Sequence, residues 1–415
     1  MAPDDVIAPP YDVIDADDEA ALLARSPYNA AHIECCPGEE HERYEAAGRR
    51  VRDWSAEGVL IRDDAPVYYL YEQRARIDGA DRLRRCFFAR LRLHRPEEGV
   101  VRPHESTMEG LRSQRLRLLR ATQMNVSPIF AMFRDDGRAR RALDAAARGE
   151  PAFGATDSLG EQHRLWVIAD AALQAELTGA LAASTVTIAD GHHRYATALT
   201  YLDDLTSADP RLPAGAAARY VLTGLIPEDD PALVILSAHR LVRARSVPAD
   251  LDARLTERFT VEPQDGWTVQ AAEALGRRVR DAAGGIATFG WIDYERRRLA
   301  LLRGRSREAI DEAMPSTLSA ASRALDARIL TETILRPLLG IDDAALADGQ
   351  VGFTSDVGAA FRAGEGGEHR FAFLLNPTRV EQVSAVADAG ELMPAKTTYF
   401  YPKLATGLVF NPLAD

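Results

Sequence analysis

The stretch TVTIADGHHRYATALTYL, Thr185 to Leu202, changes its hydrophobic period halfway along. Its first part is β-branched and apolar, the pattern of a buried strand. Asp190 and Gly191 break that run, and Ala and Leu then recur at helical spacing, so the stretch predicts strand, tight turn, helix. The other segments are simpler. In VIAPPYDVI, Pro9 and Pro10 each deny helix to the residue before them, and the segment is expected to be extended. Helices are expected over 16–24, 41–57 and 112–121. PVYYLYEQRARI and LRRCFFARLRL, joined across DGAD, are aromatic-rich and partly alternating, which predicts a hairpin. VSPIFAMF, RLWVIAD, YVLTGLI, PALVILSAHRLV, GIATFGWID, RRLALLRG and HRFAFLLNPT predict strands among Ala/Arg-rich helices such as VQAAEALGRRVRDAA.

Strands interleaved with helices indicate an α/β (α+β) protein. At 415 residues more than one domain is expected. The Pro/Gly/Asp-rich stretches at 207–215 and 363–368 are the best candidate boundaries, and the expected segments are 1–100 with the hairpin, 101–206 with the Pro-His-Glu and Asp-Gly-His-His-Arg motifs, and 207–415 with the lysines. There is no apolar run of membrane-spanning length and no leader-like start, so a cytoplasmic location is expected.

Charge narrows the partners. The net charge is −12, the opposite of what nucleic-acid binding requires. The one basic run, LRSQRLRLLR, has its arginines at helical spacing and reads as a solvated helix face, with a phosphate-facing patch as the alternative. Three cysteines without metal-type spacing give neither a disulfide framework nor a zinc site. Cys35 and Cys36 read as small buried residues before a Pro-Gly turn.

Of 50 lysines and arginines only Lys396 and Lys403 are lysine, both within MPAKTTYFYPKLATG. A compact, rotatable ammonium is not equivalent to a guanidinium where it must meet a phosphate or carboxylate. Codon bias is the plain alternative. Thr397, Thr398, Tyr399 and Thr406 add hydroxyls beside the lysines.

Asp190-Gly191-His192-His193-Arg194 is the strongest chemical constellation. A strand ending in a glycine turn before a helix offers free backbone N–H groups and the positive end of the helix dipole, a ready anion site. The two histidines and Arg194 add donors there, and Asp190 could orient a histidine or reach a Mg²⁺. The plain alternative is that Asp190 caps the helix and the histidines pack. In the loop RPHEST, Glu105 beside His104 suits a general base within reach of a hydroxyl; equally, Glu105 or Ser106 could cap the helix that follows. The chain has no P-loop, Rossmann, nucleophile-elbow or zincin motif.

VIAPPYDVI, RPHESTMEGLRSQRLRLL, NVSPIF, IADGHHRYATAL, PALVILSAHRLV, FLLNPT and MPAKTTYFYPKLATGLV together resemble the DUF1015 family of unknown function, over about residues 6–413. Members of that family usually carry a further short stretch before A-P-P-Y-D. Here only seven residues precede Ala8, and a missing edge strand or a different start is the expectation. More distantly, DGHHRYATA resembles the nucleotide-contacting turn of the ParB/sulfiredoxin-like superfamily, which implies a mixed-sheet core with large additions. Sulfiredoxins have a reactive cysteine where His192 stands, and ParB-type CTPases have Gly-Glu-Arg-Arg, so neither activity is implied. The superfamily's free-serine kinases show Asp-Gly-His-His-Arg with Pro-His-Glu upstream. That resemblance implies a nucleotide-dependent kinase using Mg²⁺ with ATP or ADP, and a small hydroxylated metabolite, free serine first, as acceptor. It implies Glu105 as base, Asp190 and His193 near the transferred phosphoryl group, and Gly191, His192, His193 and Arg194 on the nucleotide phosphates. Lys396 and Lys403 are expected to approach the phosphates or a substrate carboxylate, with His104, Thr397 and Thr398 near the substrate. A nucleotide-binding regulatory module and a nucleotide or phosphoester hydrolase are the alternatives.

Overall fold

The computed structural model describes residues 2–414 apart from Glu40, His41, Asp78, Met108, Ala183, Arg245, Asp343, Ala344 and Ala347. The chain forms two compact units. Met1–Pro103, Thr107–Val234 and Pro402–Asp415 make the first, His104–Ser106 and Ile235–Tyr401 the second.

The first unit is built on a mixed sheet of β1 (Tyr68–Ile77), β2 (Ala80–Arg92), β3 (Val101–Arg102), β5 (Ile129–Phe133), β6 (Phe153–Thr156), β7 (Gln162–Ile168), β8 (Val186–Asp190) and β9 (Tyr220–Pro227). Their order is β3-β8-β5-β9-β2-β1-β7-β6. β8 runs parallel to β3 and antiparallel to β5, and β5 runs parallel to β9. The hairpin expected from its aromatic alternation is β1–β2, with Tyr71 opposite Cys86; Asp78 of its turn lies outside the described residues. The helices Arg138–Ala146, Ala171–Ala182 and His192–Ala208 set Leu143, Leu177 and Tyr195 against Leu70, Phe87, Phe133 and Ile188 of the strands. Separately, β4 (Met124–Asn125) pairs with β18 (Asn411–Pro412).

Expected helices fall close to their places, at Ala16–Arg25, Arg43–Ala56 and Glu109–Thr122. Asp15 caps the first of these, accepting from the N–H groups of Asp17 and Asp18. His41, expected to start the second, lies outside the described residues.

The chain leaves the first unit within β10 (Val234–Leu236). PALVILSAHRLV is therefore two strands rather than one, β10 and β11 (His239–Val242). The second unit's sheet is antiparallel throughout: β12 (Phe259–Gln264), β14 (Arg298–Gly304), β13 (Thr288–Asp293), β16 (Phe371–Leu374), β11 and β15 (Val351–Thr354), in that order. Both faces are covered. Phe289, Trp291, Leu302 and Phe373 face one core; Ile292, Leu301 and Leu374 face another with Leu275 and Val279 of the helix Val269–Asp281. β17 (Tyr399–Tyr401) pairs with β10.

These bounds cut across the segments 1–100, 101–206 and 207–415. The hairpin of the first segment joins the same sheet as β8 of the second, and Pro402–Asp415 of the third belongs to that unit too. Backbone pairing between distant strands, which composition does not reveal, decides this.

Candidate functional site

The Asp190–Arg194 turn closes β8 and opens the helix His192–Ala208. Opposite it, β5 carries an irregularity: Phe130 pairs with Asp190 but Ala131 with Ile188, so Ala189 is an extra residue. A bulge of this kind redirects the side chains at a strand end. Gly191 takes φ 91°, ψ 28° as the residue before the helix. A Cβ there would sit 3.1 Å from two nitrogens of the Arg194 guanidinium, so any other residue would be strained in the turn and would press on Arg194.

No side chain caps this helix start. Asp190, the expected cap in the plain reading, is otherwise engaged. One of its carboxylate oxygens accepts from Arg194 at 2.9 Å and the other from the Lys403 ammonium. Burial raises the Asp190 pKa, but Lys403 and then Arg194 outweigh it and hold the carboxyl well below the usual carboxylate range. Arg194 also donates to the Pro128 carbonyl at 2.5 Å. Of the histidines, His192 is buried and His193 partly exposed. A carboxylate kept ionised between two cations thus lies at the positive end of this helix.

Lys403 is brought there by a strap, Pro402–Gly407, laid along β1 and β2. Gln73 donates to the Lys403 carbonyl at 2.7 Å, Arg84 to the Pro402 carbonyl at 2.5 Å. Ala8 and Thr406 exchange backbone hydrogen bonds at 3.0 and 2.8 Å. At Gly407, φ is 101° and a Cβ would lie 2.8 Å from the Val6 carbonyl oxygen. The APPYD segment thereby belongs to the anchorage of the strap.

The remaining expected residues gather in the second unit. His104, fully buried, meets Thr398 Oγ1 at 3.0 Å and lies against the Phe400 ring. Glu105 accepts the Lys396 backbone N–H at 3.0 Å, and the Met393 N–H donates to the His104 carbonyl at 2.8 Å. Glu105 therefore does not merely cap the next helix. Lys396 has φ 56° and an exposed side chain, and Arg240 donates to its carbonyl at 2.7 Å. Burial lowers the Arg240 pKa to about 10 against the opposing pull of Glu105. Thr397 is buried and donates to the Pro394 carbonyl at 2.5 Å. The two lysines, close in sequence, therefore fall in different units: Asp190, Gly191, His192, His193, Arg194 and Lys403 in the first, His104, Glu105, Lys396, Thr397 and Thr398 in the second.

Sequence reasoning missed the polar interior behind the turn. Arg84 is fully buried, with its guanidinium 4.7 Å from the Phe130 ring centroid. Glu34, also buried, accepts from Ser127 at 3.0 Å and pairs with Arg115 at 3.0 Å. Arg115 lies 4.1 Å from the centroid of the Tyr11 ring and lines a cavity of ≈ 30 Å³ together with Arg194. The only signal was the basic run around Arg115, whose half-buried, ion-paired member could not be told from the others by spacing. Burial raises the thiol pKa of Cys35 to about 12 and of Cys36 to about 11, which leaves both neutral and without nucleophilic character.

The fold and the turn define a mixed α/β protein with a strand–glycine turn–helix in its first unit. The chain belongs to the DUF1015 family, described as a protein of unknown function, whose model matches residues 2–327. Among curated proteins no sequence match is found. Among solved structures, a free serine kinase in complex with AMP is similar at 14% identity, over 78% of this chain and 92% of that one, with a TM-score of 0.35. A conserved hypothetical protein from Pyrococcus furiosus is similar at 14% identity, over 79% and 95%, with a TM-score of 0.36. SbnI from Staphylococcus aureus, truncated at its C-terminus, is similar at 10% identity, over 79% and 87%, with a TM-score of 0.34. Among the described residues no helix is long and apolar enough to cross a membrane.

Proposed function

We propose that this chain binds ATP or ADP at the Asp190–Arg194 turn and transfers its terminal phosphoryl group to the hydroxyl of a small metabolite, free serine being the first acceptor to test. The observation that carries the reading is Asp190 held ionised between Lys403 and Arg194 at an uncapped helix start behind a left-handed glycine. Phosphoryl transfer asks a protein chiefly for positioning and for cations around the equatorial oxygens. The backbone at Gly191 would let phosphates approach closely. Lys403 and Arg194, prearranged by Asp190, would supply positive charge, and His192 and His193 further donors. Asp190, whose carboxylate oxygens are taken by Arg194 and Lys403, would meet the Mg²⁺ that accompanies a nucleotide through water, and the ion would neutralise phosphate charge.

Glu105 would take the acceptor's hydroxyl proton as the new oxygen–phosphorus bond forms. The bond to the bridging oxygen breaks, and ADP leaves from ATP, or AMP from ADP. His104, Thr397 and Thr398 would shape the acceptor's surroundings, and Lys396 would add a cation there. In this reading Lys396 acts toward substrate and Lys403 toward nucleotide.

Phosphorus NMR with Mg²⁺, ATP or ADP and a panel of hydroxy-amino acids tests this. A new phosphomonoester signal is expected, absent in Glu105→Gln and in His193→Ala, with nucleotide affinity kept in Glu105→Gln. Inorganic phosphate as the sole product would make the chain a hydrolase. Tight nucleotide binding without product from any acceptor would make it a regulatory module, and no nucleotide binding would remove the reading altogether.

A further inference from the structure

A second cavity of the first unit, ≈ 150 Å³, is lined by Tyr11, Glu19, Glu34, Arg43, Tyr44 and Arg115 among others. An apolar cavity of about this volume holds a benzene-sized molecule, so a ligand of about six or seven non-hydrogen atoms fits. The walls here are charged, which selects against an apolar guest.

Two cations and two carboxylates line the space, and they are not equivalent. Arg115 and Glu34 satisfy one another: the guanidinium reaches the Glu34 carboxylate at 3.0 Å and donates to the Glu34 carbonyl at 3.0 Å. Ser127 and the face of Tyr11 complete their surroundings. That pair is neutral as a unit and forms a floor. Arg43 and Glu19 are half-buried at other points of the lining. Arg43 donates to the Tyr44 hydroxyl at 2.8 Å, and among the described residues no ion pair ties it to Glu19. One positive and one negative group therefore remain to face a guest. The two thiols in the wall, Cys35 and Cys36, are neutral and add no charge.

We propose that this cavity binds a small zwitterion, an α-amino acid of about the size of alanine or serine, with its carboxylate toward Arg43 and its ammonium toward Glu19. Each charge of the guest would meet its opposite in partly dehydrated surroundings, where a charge-assisted hydrogen bond is about twice as strong as a neutral one. A guest with only one charge would leave either Arg43 or Glu19 facing an uncharged group. The proposal does not depend on phosphoryl transfer: an amino acid held here would be a ligand of the chain whether or not the turn takes nucleotide.

Isothermal titration calorimetry of the full chain, without nucleotide, tests it. The probes are L-alanine and L-serine, with ethanolamine and L-lactate as their one-charge counterparts. Both amino acids are expected to bind, the one-charge molecules at least ten-fold more weakly. Glu19→Gln and Arg43→Gln change partly exposed groups, and each is expected to weaken the amino acids at least ten-fold with the circular dichroism spectrum kept. Arg74→Gln, which changes an exposed charge elsewhere in the first unit, is expected to leave the affinity unchanged. Absence of binding by both amino acids would overturn the proposal. So would equal binding of the one-charge molecules, or full affinity in both cavity variants. Loss of affinity in Glu105→Gln alone would assign the amino acid to the acceptor surroundings of the proposed kinase reaction instead, and would equally overturn the cavity as its site.

Discussion

Lys403 and Asp190 are 213 residues apart in sequence, and their pairing is the feature of the turn that local sequence could not supply. The lysine stood out because the chain uses arginine almost everywhere else; the aspartate stood out because it ends a buried strand. Nothing in either segment says that they meet, or that Lys396, of the same type and nearby, does not join them. Removing Lys403 tests what the pairing contributes. Its side chain is 11% exposed and that of Asp190 19%, so truncation leaves a largely buried carboxylate with Arg194 as its remaining cation. Lys403→Met is expected to destabilise the first unit by about 1.5–3 kcal/mol in urea denaturation at neutral pH. The pH dependence follows from the depressed Asp190 pKa. The unfolded chain takes up this proton near pH ~4, the folded chain only at lower pH. The stabilisation is therefore fully present above that region and lost as pH falls below it. Lys403→Met should lose much of this acid sensitivity, and a variant with an unchanged acid limb would show that the pair does not hold Asp190 ionised.

At the scale of elements, hydrophobic period identified the strands and most helices, because each buries one or both faces in a core. It could not give strand order. β1 shows why: Leu70 to Gln73 are all buried, so alternation fails where the sheet is covered on both faces, and the polar Gln73 was no sign of solvent. The same problem hid Arg84, a charged residue inside a strand whose purpose is to hold the strap. In the second unit, β11 begins with His239, almost wholly buried, whose ring nitrogen Nδ1 accepts the Leu375 N–H at 3.1 Å. Burial, with help from Arg280 and Arg240, lowers its pKa to about 4. The unfolded chain binds this proton near pH ~6.5, so between these values the unfolded state carries more protons and folding stability rises with pH. The second unit should lose on the order of 3 kcal/mol on acidification from pH ~6.5 to ~4. His239→Gln keeps an acceptor and removes the titration. Followed by hydrogen exchange in β13 and β16, it should flatten that slope; an unchanged slope would place the acid sensitivity elsewhere.

At the scale of the whole molecule, the short sequence MPAKTTYFYPKLATG serves two units, Lys396 in one and Lys403 in the other. The three segments expected from composition missed this because the boundary runs through an extended stretch with no Gly/Ser-rich linker to mark it. The division makes the nucleotide reading separable by experiment. If the turn and the strap hold the phosphates, all the groups that do so lie in the first unit, and a ligand stabilises the part of the chain that binds it. At a hundred times its dissociation constant a nucleotide contributes about 2.7 kcal/mol to the state that binds it. Hydrogen exchange with Mg²⁺ and ATP should slow at 186–197 and 402–407, while the sheet β12-β14-β13-β16-β11-β15 exchanges as before. Protection at 393–398 without protection at 186–197 would move the phosphates to Lys396 and away from Asp190. Uniform protection of both units would show that nucleotide acts on the chain as one cooperative body. The first pattern alone agrees with an ionised Asp190 as the organiser of the cations around it.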